Sequence, residues 1–200
     1  MPGPRFSRAD RVALRTVETE DAPFLQAHAN DPAIRLPVTL DGPLSLDEQE
    51  EFIEETDDGA AFIPSVAGEE TGYNTTYVTS DEPPVEPIGF CALFHVDESA
   101  GSADIVYWIT PPAQGQGYMT EAASLLLDYA FGQRRLHRIV ARALESNRAS
   151  RGLLEKLGFT LEGTERAAKF VEGEYRDVVR YSMLATEWQV GANVETVLDS

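Results

Sequence analysis

The sequence predicts an α+β fold built on a mixed sheet, and three observations carry that expectation. An apolar run, Ile105-Val106-Tyr107-Trp108-Ile109, ends at Thr110-Pro111-Pro112 and passes through Gln114-Gly115-Gln116-Gly117 into residues 122–131, which are apolar and contain no helix breaker. That order reads strand, glycine loop, helix. Upstream, residues 88–96 and 103–110 are strands joined by a polar turn short enough for an antiparallel hairpin. Downstream, residues 169–171 and 178–184 are strands joined through Glu172-Gly173-Glu174. A meander, one strand–helix–strand–helix unit and a closing hairpin together make an α+β domain.

The remaining elements follow in order. Residues 12–17 alternate enough for a short first strand. Thr19-Glu20-Asp21-Ala22 opens a helix with acids in its first turn, and Asn30-Asp31-Pro32 ends it. Ser45 and Glu48 have capping-box spacing for a second helix, with Leu46, Phe52 and Ile53 as its apolar side. Residues 60–67 form a strand that Pro64 assigns to an edge or a bulge. Residues 68–87 are rich in Gly, Thr, Asn, Asp and Pro around Thr76-Tyr77-Val78-Thr79, an insertion or long loop. Residues 136–144 give another strand, and Ser146-Asn147-Arg148-Ala149-Ser150 starts a helix that runs to Leu157, with Gly158 in the C-cap place. Residues 159–164 add one more strand. We expect a single domain over residues 1–185 and a frayed, polar, acidic tail over 186–200.

Composition limits the function. The chain of 200 residues carries 34 acidic against 16 basic side chains, a formal charge of −18, with Lys156 and Lys169 as its two lysines. Nucleic-acid binding needs a basic footprint and is excluded on that ground. Two readings of the acidity remain: a field that draws cationic substrates, or an acidic, lysine-poor halophilic surface for a salty cytoplasm where screening removes self-repulsion. No run reaches the roughly 18 apolar residues of a membrane span, and the first ten residues have no signal-peptide core. We therefore expect a cytoplasmic protein with no membrane partner, and a chance match at the glycosylation-like Asn74-Thr75-Thr76. Cys91 is alone and three scattered histidines accompany it, so no metal site is expected. Cys91 and the histidines are read as structural.

The glycine loop is the chemical centre of the sequence. Glycines let the backbone turn tightly and approach a ligand, and the first turn of a helix presents unpaired N–H groups and a dipole that favours an anion. A phosphate or pyrophosphate suits that place. A nucleotide P-loop would need a lysine after its glycines, and none follows. A dinucleotide fingerprint would need a third glycine where Thr120 stands, and would open the fold rather than sit behind a meander.

Gln114-x-x-Gly117-x-Met119 resembles the Gln/Arg-x-x-Gly-x-Gly/Ala signature of the GNAT superfamily of acetyl-CoA-dependent N-acetyltransferases, with Met119 where Gly or Ala is usual. Further blocks resemble its ribosomal-protein N-terminal acetyltransferase (Rim-type) branch: Leu14-Arg15 with Glu20-Asp21-Ala22; Ala103-Asp104 leading into the central strand; Asn147-x-x-Ser150 with Glu155-Lys156-Leu157-Gly158-Phe159; and Gly173-Glu174-Tyr175-Arg176-Asp177 leading to Tyr181. The resemblance covers roughly residues 12–185 apart from the insertion.

It implies a mostly antiparallel sheet, flanked by helices, with a central splayed parallel pair that wedges acetyl-CoA. The backbone of Tyr107, Trp108 and Ile109 would hold the pantetheine amides. The loop Gln114, Gly115, Gln116, Gly117, Tyr118, Met119 and Thr120 would hold the pyrophosphate. Asn147 would contact the cofactor, and Ser150, or Tyr181 instead, would protonate the departing thiolate. Asp104, Glu162 or a water chain would act as general base, because Lys169 stands where some relatives carry Glu. No metal is implied. The acceptor implied is a primary amine, a protein N-terminus by the Rim-type resemblance, with small-molecule amines open. A CoA-binding sensor without catalysis is the rival, supported by the off-pattern Met119 and Lys169. A homodimer is the default assembly.

Overall fold

A computed structural model describes residues 2–40, 42–55, 60–68 and 84–189. Nine strands and five helices occur among them: β1 (Arg5–Arg8), β2 (Ala13–Thr16), α1 (Ala22–Ala29), α2 (Pro32–Val38), α3 (Leu46–Glu55), β3 (Ala60–Ala67), β4 (Val85–Pro87), β5 (Gly89–Asp97), β6 (Ser102–Ile109), α4 (Tyr118–Asp128), β7 (Arg138–Leu144), α5 (Arg148–Leu157), β8 (Thr160–Val171) and β9 (Glu174–Leu184). The sheet runs β1-β2-β3-β5-β6-β7-β9-β8, with β4 added beside β3. Every pair is antiparallel except β6–β7. That is the mixed sheet the sequence predicts. The parallel pair arises because β6 returns to β7 through α4, a crossover of the β-α-β kind.

Strand alternation sorts the core onto two faces. Leu125, Leu126 and Leu127 of α4, with Leu154 of α5, bury against Ile105, Ile139 and Met183. On the other face Leu25 and Ile34 bury against Ile63, Phe90 and Trp108. Successive side chains of β6 therefore point in opposite directions, Ile105 and Tyr107 towards α4 and α5, Trp108 towards α1 and α2.

Several places differ from the sequence reading. The helix α2 was not anticipated, because Asn30-Asp31-Pro32 looked like a stop. It is also a start: the Asp31 carboxylate accepts from the Ala33 N–H at 2.9 Å, and Pro32 occupies the first turn, where its missing N–H costs nothing. Pro64 is not on an edge. It is fully buried and sits where one side of β3 changes partner from β5 (through Phe62) to β4 (from Ser65), so no ladder bond needs its absent N–H. The two strands expected at 159–164 and 169–171 are one strand, β8, which starts at Thr160 and whose register shifts between Glu165 and Lys169 around Ala167 at φ 50°. At the tail, Trp188 is not frayed: its indole Nε1–H donates to Asp128 at 2.8 Å and its ring packs on the core. Most of the 68–87 insertion and the tail beyond 189 lie outside the described residues.

The apolar contact between α4 and the sheet should dominate stability. Leu126 is completely buried, so Leu126→Ala is expected to destabilise by about 2–5 kcal/mol. Urea unfolding measures it, and a loss under about 1 kcal/mol would mean that α4 does not seal this core.

Candidate active site

The parallel pairing of β6 and β7 is short. Ser102↔Arg138, Ala103↔Ile139 and Asp104↔Val140 are in register, and there the ladder stops although both strands continue. Beyond Asp104 the two strands part. The outer neighbours hold each lip: β5 pairs β6 from Gly89 to Phe94, and β9 pairs β7 along its whole length. A cleft of about 740 Å³ opens in the gap, with both strands and the loop before α4 among its walls.

Ladder phase decides which backbone groups face the gap. The Thr110 N–H donates to the Ile88 carbonyl at 2.8 Å. By alternation Trp108 is likewise bonded to β5, and Tyr107 and Ile109 turn their N–H and C=O to the open side. Two further facts agree. A Cβ placed on Gly89 would lie 2.4 Å from the Trp108 carbonyl oxygen, so that carbonyl presses on β5. The Ile109 carbonyl, pointing away, accepts from the Gln114 side-chain amide at 3.3 Å. Of the three strand residues expected to hold a ligand through backbone, Tyr107 and Ile109 are positioned for it and Trp108 is not.

The loop has the geometry of an anion cradle. Gly115 and Gly117 take φ of 74° and 84°, the left-handed region that favours glycine. Gly117 is the N-cap of α4, which begins at Tyr118, earlier than the sequence reading placed it. The N–H groups of Gly115 to Met119 have no acceptor among the described residues, whereas Thr120 N–H closes onto the Gly117 carbonyl at 3.0 Å. Gln116 bonds back to the Pro112 carbonyl at 2.9 Å. The off-pattern Met119 is accommodated: its side chain is buried, with its methyl beside Gly89.

A family profile described as acetyltransferase (GNAT) domain matches residues 11–160. The chain belongs to the GNAT acetyltransferase family. YdaF of Bacillus subtilis (strain 168), provisionally named a ribosomal N-acetyltransferase, is 37% identical over 50% of this chain and 55% of its own length. The [ribosomal protein uS5]-alanine N-acetyltransferase of Escherichia coli (strain K12) is 33% identical over 42% of this chain and 44% of its own. The chain thus spans about half the length of these curated relatives. Spermidine N-acetyltransferase from Vibrio cholerae, solved with CoA and spermine, superposes with a TM-score of 0.76 at 25% identity, covering 88% of this chain and 97% of that one.

On the GNAT cleft, Asn147 and Ser150 stand at the start of α5. The Asn147 side-chain Oδ1 accepts from the Ser150 N–H at 3.1 Å, and its Nδ2 donates to the Pro37 carbonyl of α2 at 3.4 Å, tying the two helices together. The Ser150 hydroxyl lies 2.9 Å from the Tyr107 hydroxyl. Burial pushes the Tyr107 phenol up to about 12, against the opposing pull of its Ser150 hydrogen bond. At neutral pH Tyr107 therefore keeps its proton. Sequence reasoning chose Tyr107 only for its backbone. Its side chain was missed, although its odd position in β6 places it on the α5 face.

Other expected residues are placed differently. Tyr181 is almost fully buried and donates to Glu155 at 3.0 Å, and it is not among the cleft walls. Glu162 pairs with Arg138 and lies 3.4 Å from Arg180, also away from the cleft, and the Arg138 hydrogen bond holds its carboxyl below the usual range. Asp104 and Lys169 do line the cleft. Asp104 accepts from Arg142 at 2.9 Å and from His95 at 3.0 Å. Cys91 is completely buried, and burial pushes its thiol up, as expected of a core residue. His28 is also structural, stacked on Trp108 at 5.7 Å. Among the described residues no cluster of His, Cys, Asp and Glu could hold a metal, and no helix is long and apolar enough to cross a membrane.

One loop brace lay beyond sequence reasoning. Arg11, in the β1–β2 turn, bonds Glu121 through Nε at 2.7 Å and the Gln116 carbonyl at 3.1 Å, and covers the Tyr118 ring at 4.9 Å. No spacing rule connects residues so distant in sequence. A Cβ on Gly117 would lie 3.3 Å from an Arg11 guanidinium nitrogen. Gly117→Val should weaken CoA binding by on the order of tenfold or more, from left-handed strain of ~1–2 kcal/mol and a displaced brace. Calorimetry would show it, with circular dichroism unchanged. Wild-type affinity would remove this loop from the CoA site.

Proposed function

We propose that this GNAT-family N-acetyltransferase carries the acetyl group of acetyl-CoA to a primary amine, and that the amine is a protein or peptide N-terminus. The observation that carries acetyl transfer is the opening of β6 from β7, with free N–H groups at one end and a hydroxyl pair on its wall. The residues fit acetyl-CoA. Tyr107 and Ile109 would bond the pantetheine amides through backbone, and Gly115 to Met119 would hold the pyrophosphate by N–H groups and the α4 dipole. Gln114 and Gln116 shape the loop through bonds to the Ile109 and Pro112 carbonyls, and Thr120 and Trp108 also line the cleft.

The chemistry is direct attack. The amine nitrogen adds to the thioester carbonyl, the C–S bond breaks, and sulfur needs a proton. Ser150 and Tyr107 share a hydrogen bond at 2.9 Å, so a proton given by either can be replaced by the other. Asn147 holds Ser150 in place through its backbone N–H.

The acceptor class rests on charge at the other end of the cleft. Asp104, Glu165, Arg142 and Lys169 all line it, two carboxylates against two cations. That balance suits one amine with neutral amides behind it. A polyamine carries further ammonium groups, for which the two cations are repulsive. The relation to a spermidine acetyltransferase and the overall charge of −18 favour polyamines as the second reading.

A panel decides between them: CoA release with peptides bearing free N-termini, the same peptides acetylated, and spermidine and spermine. Turnover confined to free N-terminal peptides is expected; greater kcat/KM with polyamines would reverse the assignment. Tight CoA binding without turnover on any amine would make the protein a sensor. Ser150→Ala and Tyr107→Phe should each lower kcat by about 10²-fold with CoA affinity kept. Two variants with wild-type kcat would exclude the hydroxyl pair as the proton source.

A further inference from the structure

Within the described residues, one side chain on the cleft is unused by this mechanism and arranged as if for proton transfer. His95 lies near the end of β5, and its imidazole Nδ1 is 3.0 Å from Asp104 Oδ2. Arg142 Nη1 donates to the same oxygen at 2.9 Å. Asp104 ends the paired part of β6 and β7, so the three side chains gather where the gap opens.

The backbone is bent to bring them together. Phe94 pairs directly with Asp104, so in a regular strand His95 would point to the opposite face. Instead the register shifts between Phe94 and Asp97, and His95 takes φ 49°. A bulge of this kind re-aims a side chain. Backbone held in a sparsely populated region marks functional sites. Here it turns the imidazole onto a carboxylate beside the cleft.

The hydrogen bonds fix the tautomer. Asp104 Oδ2 already accepts from a guanidinium, which has donors only, so the His95 contact is an Nδ1–H donation. Nε2 is then the ring atom with a lone pair. Charged groups from three neighbouring strands line the same cleft as His95: Asp104 on β6, Arg142 on β7, and Glu165 and Lys169 on β8. Glu165 is 3.6 Å from Arg142, Asp104 has two donors, and Lys169 is a cation, so each is less suited to accept a proton.

We propose that His95 is the general base for the acceptor amine, with Asp104 as its positioning residue. The proposal rests on the acetyl-transfer reading above. As the amine nitrogen forms its bond to the acetyl carbon, its proton passes to His95 Nε2, directly or through one water. The C–S bond then breaks, and sulfur takes a proton from the Ser150–Tyr107 pair. The products are an amide and CoA. His95 is highly exposed, with 84% of its side chain accessible, and returns its proton to solvent. Tyr107 and Asp104 project from opposite faces of β6, so acid and base approach the thioester from different sides.

The test uses the full chain with His95→Gln and His95→Ala, an acetylatable amine, and kcat/KM measured from mildly acidic to mildly alkaline pH. Wild type should lose activity on the acidic side, as a rate carried by a general base does. His95→Gln should lower kcat/KM by about 10²–10⁴-fold and abolish that limb. CoA affinity and thermal unfolding should not change. Free imidazole should partly restore His95→Ala. Wild-type rates with the acidic limb intact in both variants would overturn the proposal. So would lost activity that imidazole does not rescue and whose pH profile keeps its limb, since that describes a packing defect. A wild-type protein that binds CoA but acetylates no amine would defeat the acetyl-transfer reading itself, and the base with it.

Discussion

The site depends on one interrupted ladder. Buried backbone N–H and C=O groups almost always find partners, yet β6 and β7 stop pairing at Asp104↔Val140 while both strands run on. The opening persists because each strand is fixed by its outer neighbour, β6 by β5 and β7 by β9. What remains at the gap is a lip where Tyr107 and Ile109 turn backbone groups away from β5, with the Ile109 carbonyl taken by the Gln114 side chain. A tighter sheet would gain hydrogen bonds and lose the site.

The elements around the gap divide the work. In the proposed reading the α4 side would recognise an anion through backbone N–H groups, where side-chain identity matters little, and Met119 stands at a usually small position by packing beside Gly89 of β5. The α5 side holds the Ser150–Tyr107 hydroxyl pair, with Asn147 capping the helix and locating Ser150 through a hydrogen bond. The Asn147 cap also places the Ser150 hydroxyl, so capping is compatible with the catalytic role proposed for Ser150. The β5–β6 end supplies charge: a carboxylate shared by His95 and Arg142, partly exposed, in a solvated environment where screening moderates each pair.

Lys169 takes a different meaning in this setting. By itself it removes a carboxylate from a place where some relatives carry one. In the folded protein it adds a cation to a wall that already holds Arg142, Asp104 and Glu165. That local balance, rather than the overall acidity, bears on the acceptor. The net charge acts at long range on encounter, and the cleft acts at contact.

Much was written in the sequence. The strand order of the central region, the glycine loop, the α5 cap and its Gly158 C-cap at φ 91° follow from local rules, because turn geometry and capping depend on neighbours in the chain. So does the reading of Cys91 as core. Tertiary structure decided everything that depends on which strands lie side by side. It placed Pro64 in the interior, since a break between two partners tolerates a missing donor as well as an edge does. It turned the backbone groups of Trp108 towards β5 and those of Tyr107 towards the gap, a choice set by ladder phase. It buried Tyr181 beside Glu155 and brought Arg11 to Glu121 and His95 to Asp104. Local sequence specifies how a segment bends and caps itself; which side chains meet across the sheet is fixed only when the registers are.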